Sequence, residues 1–126
     1  QQRVAIARAY VLDPKVLLMD EPFGALDAQT RVVMQEELVR LARKNPRTVL
    51  FITHAVEEAV YLADRIVVMS RRPGTVREII DVKTIREAED WDQIERIEDV
   101  MDLPSFVHLR THVWKLLREQ QLGDEH

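Results

Sequence analysis

The sequence contains no cysteine, which excludes disulfides and thiolate metal sites and suits a reducing cytoplasm. It has no apolar run approaching the roughly 20 residues that span a bilayer, and no signal-peptide pattern. It has no basic surplus: the net charge is −4, so no stripe of Lys and Arg is available to neutralise nucleic-acid phosphates. It also lacks a G-x-x-x-x-G-K-[ST] phosphate loop. What remains is ordinary for a globular protein, 46% apolar and 32% charged across 126 residues, enough for one modest domain. Gln1 already belongs to a helical pattern, which predicts further sequence upstream.

The apolar pattern switches between two periods. Residues 1–12 predict a largely apolar helix ended by Asp13-Pro14, because the residue before proline is pushed out of the helical region. Val16 to Met19 is a short continuous apolar run and predicts a strand buried on both faces, as in a parallel sheet. Ala28 to Lys44 predicts a helix, with Val32, Val33, Leu38, Val39 and Leu41 as its apolar positions and Asn45-Pro46 as its stop. "TVLFIT" (48–53) predicts a second buried strand, 54–63 a short helix, and "RIVVMS" (65–70) a third strand. Arg71-Arg72-Pro73-Gly74 is a turn, and 76–82 a fourth strand antiparallel to the third. This order predicts an α/β fold with parallel central strands.

After Val82 the composition turns acidic. Trp91, Ile94, Ile97 and Met101 still recur at helical spacing. Pro104 opens a longer helix, with Asp102 as its expected cap and Phe106, Leu109, Val113, Leu116 and Leu117 as its apolar face. Residues 123–126 are expected to fray. The predicted division is 1–82 and a helical tail, 83–126.

In α/β folds functional groups gather at the carboxyl ends of the strands. There the chain places Asp20, Glu21 and His54. A rigid apolar strand can project Asp20 towards a cation. Hard carboxylate oxygens suit Mg²⁺, which takes one or two of them together with water and nucleotide phosphates. Glu21 beside it could orient or deprotonate an attacking water, and His54 could donate a hydrogen bond to a phosphate oxygen. Each residue has a plain structural alternative: a solvated strand end for Asp20-Glu21, and a cap for His54. Asp27 is expected to cap the helix starting at Ala28. Two strand ends presenting Asp-Glu and Thr-His with a helix between them form a sharper pattern than either alone. His108 and His112, four apart, lack a third metal ligand and are expected at the surface. Trp91 and Trp114 are expected to pack within the core or tail, and Arg71-Arg72 to form a basic turn.

At these residues the sequence resembles the C-terminal part of an ATP-binding-cassette (ABC) ATPase, a P-loop NTPase. "QQRVAIARA" resembles the helix after the family's signature, "VLLMDEP" its Walker B strand, "GALD" its D-loop, and "FITH" its switch-histidine strand. "EEAVYLADRIVVMS" resembles the helix and strand that follow, so the match runs without a gap to about Val82. The resemblance implies Asp20 at the magnesium position, Glu21 as catalytic base, Asp27 as the D-loop acid near the nucleotide and His54 as the switch. It implies ATP and Mg²⁺ as cofactors. "EPFGALD", "ADRIVVMSRRPG" and "FVHLRTHVWKLLRE" resemble importer subunits of the nitrate/sulfonate/taurine group. That likeness implies a peripheral protein at the cytoplasmic face of the inner membrane. Its implied partners are a second ATPase subunit, two transmembrane permease subunits and, indirectly, an extracytoplasmic solute-binding protein, with no nucleic acid. Ala55 departs from relatives that carry an acid after the histidine. The Leu-Ser-Gly-Gly signature is missing along with the phosphate loop, so the 126 residues alone are expected not to hydrolyse ATP. A cassette ATPase of DNA repair or chromosome maintenance, and an inactive remnant, are the competing readings.

Overall fold

A computed structural model describes residues 16–44, 48–70 and 74–124. The helix expected over 1–12, the stop at Asn45-Pro46 and the arginines of the 71–74 turn lie outside them. The chain divides into two compact units, 1–54 and 55–126.

The first unit is a β–α–β arrangement. Strand β1 (Val16–Asp20) leads through a turn into helix α1 (Ala28–Lys44), and the chain returns as strand β2 (Thr48–Ile52). β1 and β2 pair in parallel, with Val16 opposite Thr48 and Asp20 opposite Ile52. The helix terminates in Arg43 and Lys44, cations that suit its negative end. Its buried residues are Met34, Gln35 and Leu38, whereas Val33 is exposed. The burial stripe therefore follows the i, i+4 pair Met34–Leu38 rather than the Val32–Val33 row.

Strand β1 is not buried on both faces. Val16 is 61% exposed and Leu18 64%, and across the ladder Leu50 is 56% and Ile52 42% exposed. Side chains alternate between faces along a strand, so these four share one open apolar face. No described residue covers it, although both strands carry the apolar composition of a sheet covered on both sides.

The second unit opens with helix α2 (Val56–Leu62) and strands β3 (Arg65–Met69) and β4 (Val76–Asp81), followed by helix α3 (Lys83–Ala88), a 3₁₀ turn at Trp91–Gln93, helix α4 (Ile97–Met101) and helix α5 (Pro104–Asp124). β3 and β4 form the expected antiparallel hairpin, with Gly74 in its turn at φ 78°, a region that glycine enters without a Cβ clash. Parallel pairing is confined to β1–β2 among the described residues. The third strand takes its partner from the hairpin, where a short turn makes antiparallel pairing easy to close.

The ladder slips between Val68, opposite Glu78, and Met69, opposite Val76. Arg77 is the extra residue of that bulge. Neighbouring strand side chains normally face opposite ways, but a bulge re-aims them. Here both lean on α5: Glu78 Oε2 lies 2.6 Å from His112 Nε2, and Arg77 Nη2 donates to Glu119 Oε2 at 2.8 Å. His112, expected only as a surface residue, thus helps to seat the helix.

The core of this unit gathers Val60, Ile66, Val68, Val82, Trp91, Val100 and Phe106 with Leu109, Val113 and Leu116. The Trp91 and Phe106 rings are 5.7 Å apart at 49°, a tilted pairing that aromatic quadrupoles favour. The Trp91 N–H donates to Glu89 Oε1 at 3.2 Å, so the indole is buried with its polar atom satisfied. Arg86 is also buried. It donates to the Ala63 carbonyl at 2.8 Å and pairs with Asp64, closing the C-terminal end of α2.

Three expectations fail here. Asp102 closes α4 rather than capping α5; Pro104 is the first residue of α5, where its missing N–H costs nothing. Leu117 is exposed although it stands nearly in line with Phe106, three turns further along the helix; Trp114 is exposed too and lies under Arg110 on the tail helix instead of in the core. The last helix runs through Gly123 to Asp124; the remainder of the end expected to fray, 125–126, lies outside the described residues.

Asp81 holds the start of α3. It accepts from the Thr84 backbone N–H at 3.2 Å and from the Thr84 hydroxyl at 2.7 Å. The hydroxyl bond, and then the backbone bond, hold its carboxyl below the ordinary 3.8. A folded-state pKa lowered in this way adds stability above the unfolded value, and that stability is lost as pH falls through the folded one. Asp81→Asn should therefore flatten the acid side of the stability curve below about pH 4. Denaturant melts of native and variant chain across pH 2–6 measure it. Parallel curves over that range would remove Asp81 from the explanation of acid sensitivity.

Candidate functional site

The predicted residues of this site, Asp20, Glu21, Asp27 and His54, all belong to the first unit. β1 ends in Asp20, whose side chain is exposed. The next residue leaves the sheet abruptly: Glu21 takes φ 50°, in the left-handed region. Its backbone N–H still donates to the Ile52 carbonyl at 2.8 Å, so the two strand ends are tied together there. Left-handed backbone at a residue other than glycine costs on the order of 1–3 kcal/mol and persists only where the surroundings enforce it.

What enforces it is the turn. Gly24 N–H donates to the Glu21 carbonyl at 3.2 Å and Leu26 N–H to the Phe23 carbonyl at 3.2 Å. Phe23 is almost wholly buried and lies 5.8 Å from the Phe51 ring on β2. Arg31 reaches back from α1 and donates from Nη2 to the Phe23 carbonyl at 3.1 Å. The sequence reading missed both the aromatic anchor and Arg31. An aromatic residue between a proline and a glycine, in a stretch otherwise suited to solvent, was the available signal.

The left-handed turn aims Glu21 at the end of β2. Its Oε1 is 3.4 Å from His54 Nε2, an ion-pair distance without the alignment of a hydrogen bond. Oε1 is shielded from solvent and has no hydrogen-bond partner. The His54 side chain is 95% exposed. It does not cap a helix: α2 begins at Val56 after Ala55. The structure thus brings Glu21 and His54 together, with Asp20 one residue earlier on the same strand end, level with Ile52.

Asp27 has a different occupation. Its Oδ1 accepts from Thr30 N–H at 2.8 Å, and its carbonyl accepts from Arg31 N–H at 2.9 Å. This is a helix N-cap, as expected. The Thr30 backbone bond, then the Thr30 hydroxyl, hold its carboxyl below the ordinary 3.8. No described contact joins it to Glu21 or His54.

An unpartnered, shielded carboxylate oxygen is uncommon and calls for an explanation. A magnesium nucleotide supplies one. Mg²⁺ keeps several waters and takes one or two carboxylates with the phosphates. Among the described residues no group of three or more His, Asp or Glu could hold a metal. The donor set of one exposed aspartate, one adjoining carboxylate and one exposed imidazole fits a cation that arrives on a nucleotide.

No protein-family model matches the chain. Individual proteins do match. The chain is 49% identical over 121 residues, 96% of its length, to an ATP-binding protein of Brucella melitensis, of which it spans 48%. It is 44% identical over 122 residues to an uncharacterized ABC transporter ATP-binding protein of Methanocaldococcus jannaschii, spanning 42% of it. It is 54% identical over 82 residues, 65% of its length, to the aliphatic sulfonates import ATP-binding protein SsuB of Bacillus cereus, spanning 33% of it. The chain covers less than half the length of each of these relatives. With the strand-end acids and histidine already in view, these similarities support reading the chain as the C-terminal part of an ABC ATPase.

Proposed function

We propose that this chain supplies the acid-and-histidine side of an ATP site in an ABC importer, and that the solute is a small anion of the nitrate, sulfonate or taurine class. The observation that carries the reading is the Glu21–His54 contact at the joined ends of β1 and β2, with Asp20 beside it. The bound nucleotide would supply the terminal phosphoryl group and the magnesium charge. Asp20 would hold the cation. Glu21 would orient the attacking water and accept its proton at Oε1, the shielded oxygen without a hydrogen-bond partner. His54, swung out on an exposed side chain, would donate a hydrogen bond to a phosphate oxygen. Asp27 would act at the nucleotide indirectly, by fixing the start of α1.

The open apolar face of β1 and β2 supports a longer working unit. A parallel sheet of this composition is stable when helices or further strands cover both sides, and this chain spans less than half of each of these relatives. In this reading 1–82 is ABC ATPase and 83–126 a helical tail. No described helix is long and apolar enough to cross a membrane. In our reading the protein docks on two permease subunits at the cytoplasmic face of the inner membrane, pairs with a second ATPase subunit, and receives solute indirectly from a binding protein outside.

Two measurements test this. Residues 1–126 alone should release no phosphate from magnesium ATP above buffer; measurable turnover would contradict the division of the site. The full-length protein, reconstituted with its membrane subunits in vesicles, should drive ATP-dependent uptake of a sulfonate, nitrate or taurine. Uptake of none of them would sink the solute class while leaving the ATPase reading standing.

A further inference from the structure

The peptide unit between Phe23 and Gly24 is held on both sides. Its N–H, on Gly24, donates to the Glu21 carbonyl at 3.2 Å. Its carbonyl, on Phe23, accepts twice: from the Leu26 N–H at 3.2 Å and from Arg31 Nη2 at 3.1 Å. The Gly24 bond closes the turn in which Glu21 is left-handed, at φ 50°. The same peptide also lies against the Glu21 carboxylate: a Cβ at Gly24 would stand 3.6 Å from Glu21 Oε2. The position of this one peptide therefore sets the position of the Glu21 side chain.

Hydrogen bonds in a chain polarise one another. The Arg31 charge on the Phe23 oxygen thus strengthens the Gly24 N–H as a donor to Glu21. It also locks the peptide against rotation. A flip would swing the Phe23 oxygen away from Arg31 and the Gly24 N–H away from Glu21 in one motion. The lock has a cost. Arg31 is half-buried, and its Nε is shielded from water with no hydrogen-bond partner. A shielded polar group without a partner destabilises the fold, and a methionine of similar bulk would carry no such penalty. Filling space does not require an arginine here; holding a carbonyl oxygen across the turn does. Helix α1 supplies the rigid root, because the Arg31 N–H donates to the Asp27 carbonyl at 2.9 Å in the turn that Asp27 caps. We propose that Arg31 is a positioning residue for Glu21: by holding the Phe23–Gly24 peptide, it keeps the Glu21 carboxylate at the end of β2, against His54. This rests on the reading of Glu21 as the base and adds what fixes its aim. Arg31 acts through the turn alone.

Arg31→Met in the full-length protein tests the idea, read by ATP turnover and by amide hydrogen exchange of residues 21–26. Turnover at saturating magnesium ATP should fall by about tenfold to a hundredfold, the scale of a small misplacement of a reacting group. KM for ATP should stay within about threefold of native, and the melting temperature should not fall. The Gly24 amide should exchange about tenfold faster or more, because its bond to Glu21 opens more often. Arg31→Lys, which offers a single point charge to the carbonyl, should restore part of both. Added to Glu21→Gln, Arg31→Met should cause little further loss, because residues that act as a unit are not additive. Unchanged exchange at Gly24 overturns the proposal. So does turnover within about twofold of native once exchange has risen. A fall in turnover that tracks a fall in melting temperature, or that is equal with and without Glu21→Gln, makes Arg31 a structural residue only and overturns it as well. If Glu21→Gln by itself leaves turnover near native, the base reading fails, and the Gly24 exchange alone then decides whether Arg31 holds the turn.

Discussion

Glu21→Gln in the full-length protein is expected to cut ATP turnover by about 10²–10⁴-fold, the usual worth of a positioned general base, while ATP affinity changes little. The substitution keeps the shape and the turn. Glu21 holds its place through backbone bonds, from its N–H to Ile52 and from Gly24 to its carbonyl, which an amide side chain does not disturb. What it removes is the proton acceptor at Oε1, the shielded oxygen beside His54. Phosphate release under saturating magnesium ATP, together with nucleotide affinity on the same sample, separates the two effects. Turnover within a few-fold of native would remove Glu21 from the role of base. Loss of affinity equal to the loss of turnover would make it a binding residue instead.

Phe106→Ala is expected to destabilise the chain by about 3–5 kcal/mol, the range for emptying a fully buried aromatic site. Phe106 is completely buried at the start of α5 and packs against Trp91 from the 3₁₀ turn. The substitution leaves a cavity in the cluster that joins the 3₁₀ turn to α5. It also loses the tilted ring pair, worth about 0.5–1.5 kcal/mol beyond area. Chemical denaturation followed through Trp91 fluorescence reads the change. A loss below about 1 kcal/mol would mean that the tail helices are not part of the second unit's core, because a buried phenylalanine cannot be removed so cheaply from a close-packed interior. Trp114→Ala makes a useful contrast. That ring is exposed, and its stability cost should be within about 0.5 kcal/mol.

All four strands were legible from their apolar runs, and α1 was placed to the residue by Asp27 and Asn45-Pro46. Each rests on local chemistry: a cap, a breaker, or a run too short and too β-branched to be a helix. Side-chain destinations on helices were less legible. Leu117 and Trp114 were assigned inward because 3.6-residue periodicity allows a broad apolar arc, and only packing decides which part of the arc is filled. Asp102 was misplaced because two short helices abut there, and a capping residue looks the same whichever helix it serves. The Arg77 bulge had no signal at all; a one-residue slip is a property of two strands together.

The candidate site divides in the same way. Asp20, Glu21 and His54 could be picked out from sequence because each stands where an apolar strand runs out, a one-dimensional feature. Whether they meet depended on the parallel register of β1 and β2, on a left-handed Glu21, and on Phe23 buried beneath the turn. Sequence alone determined the chemistry on offer: hard carboxylates, an imidazole, no thiol and no phosphate loop. Tertiary structure decided which of these groups face one another, because pairing register and turn handedness depend on contacts between residues far apart in the chain, and no local pattern encodes them.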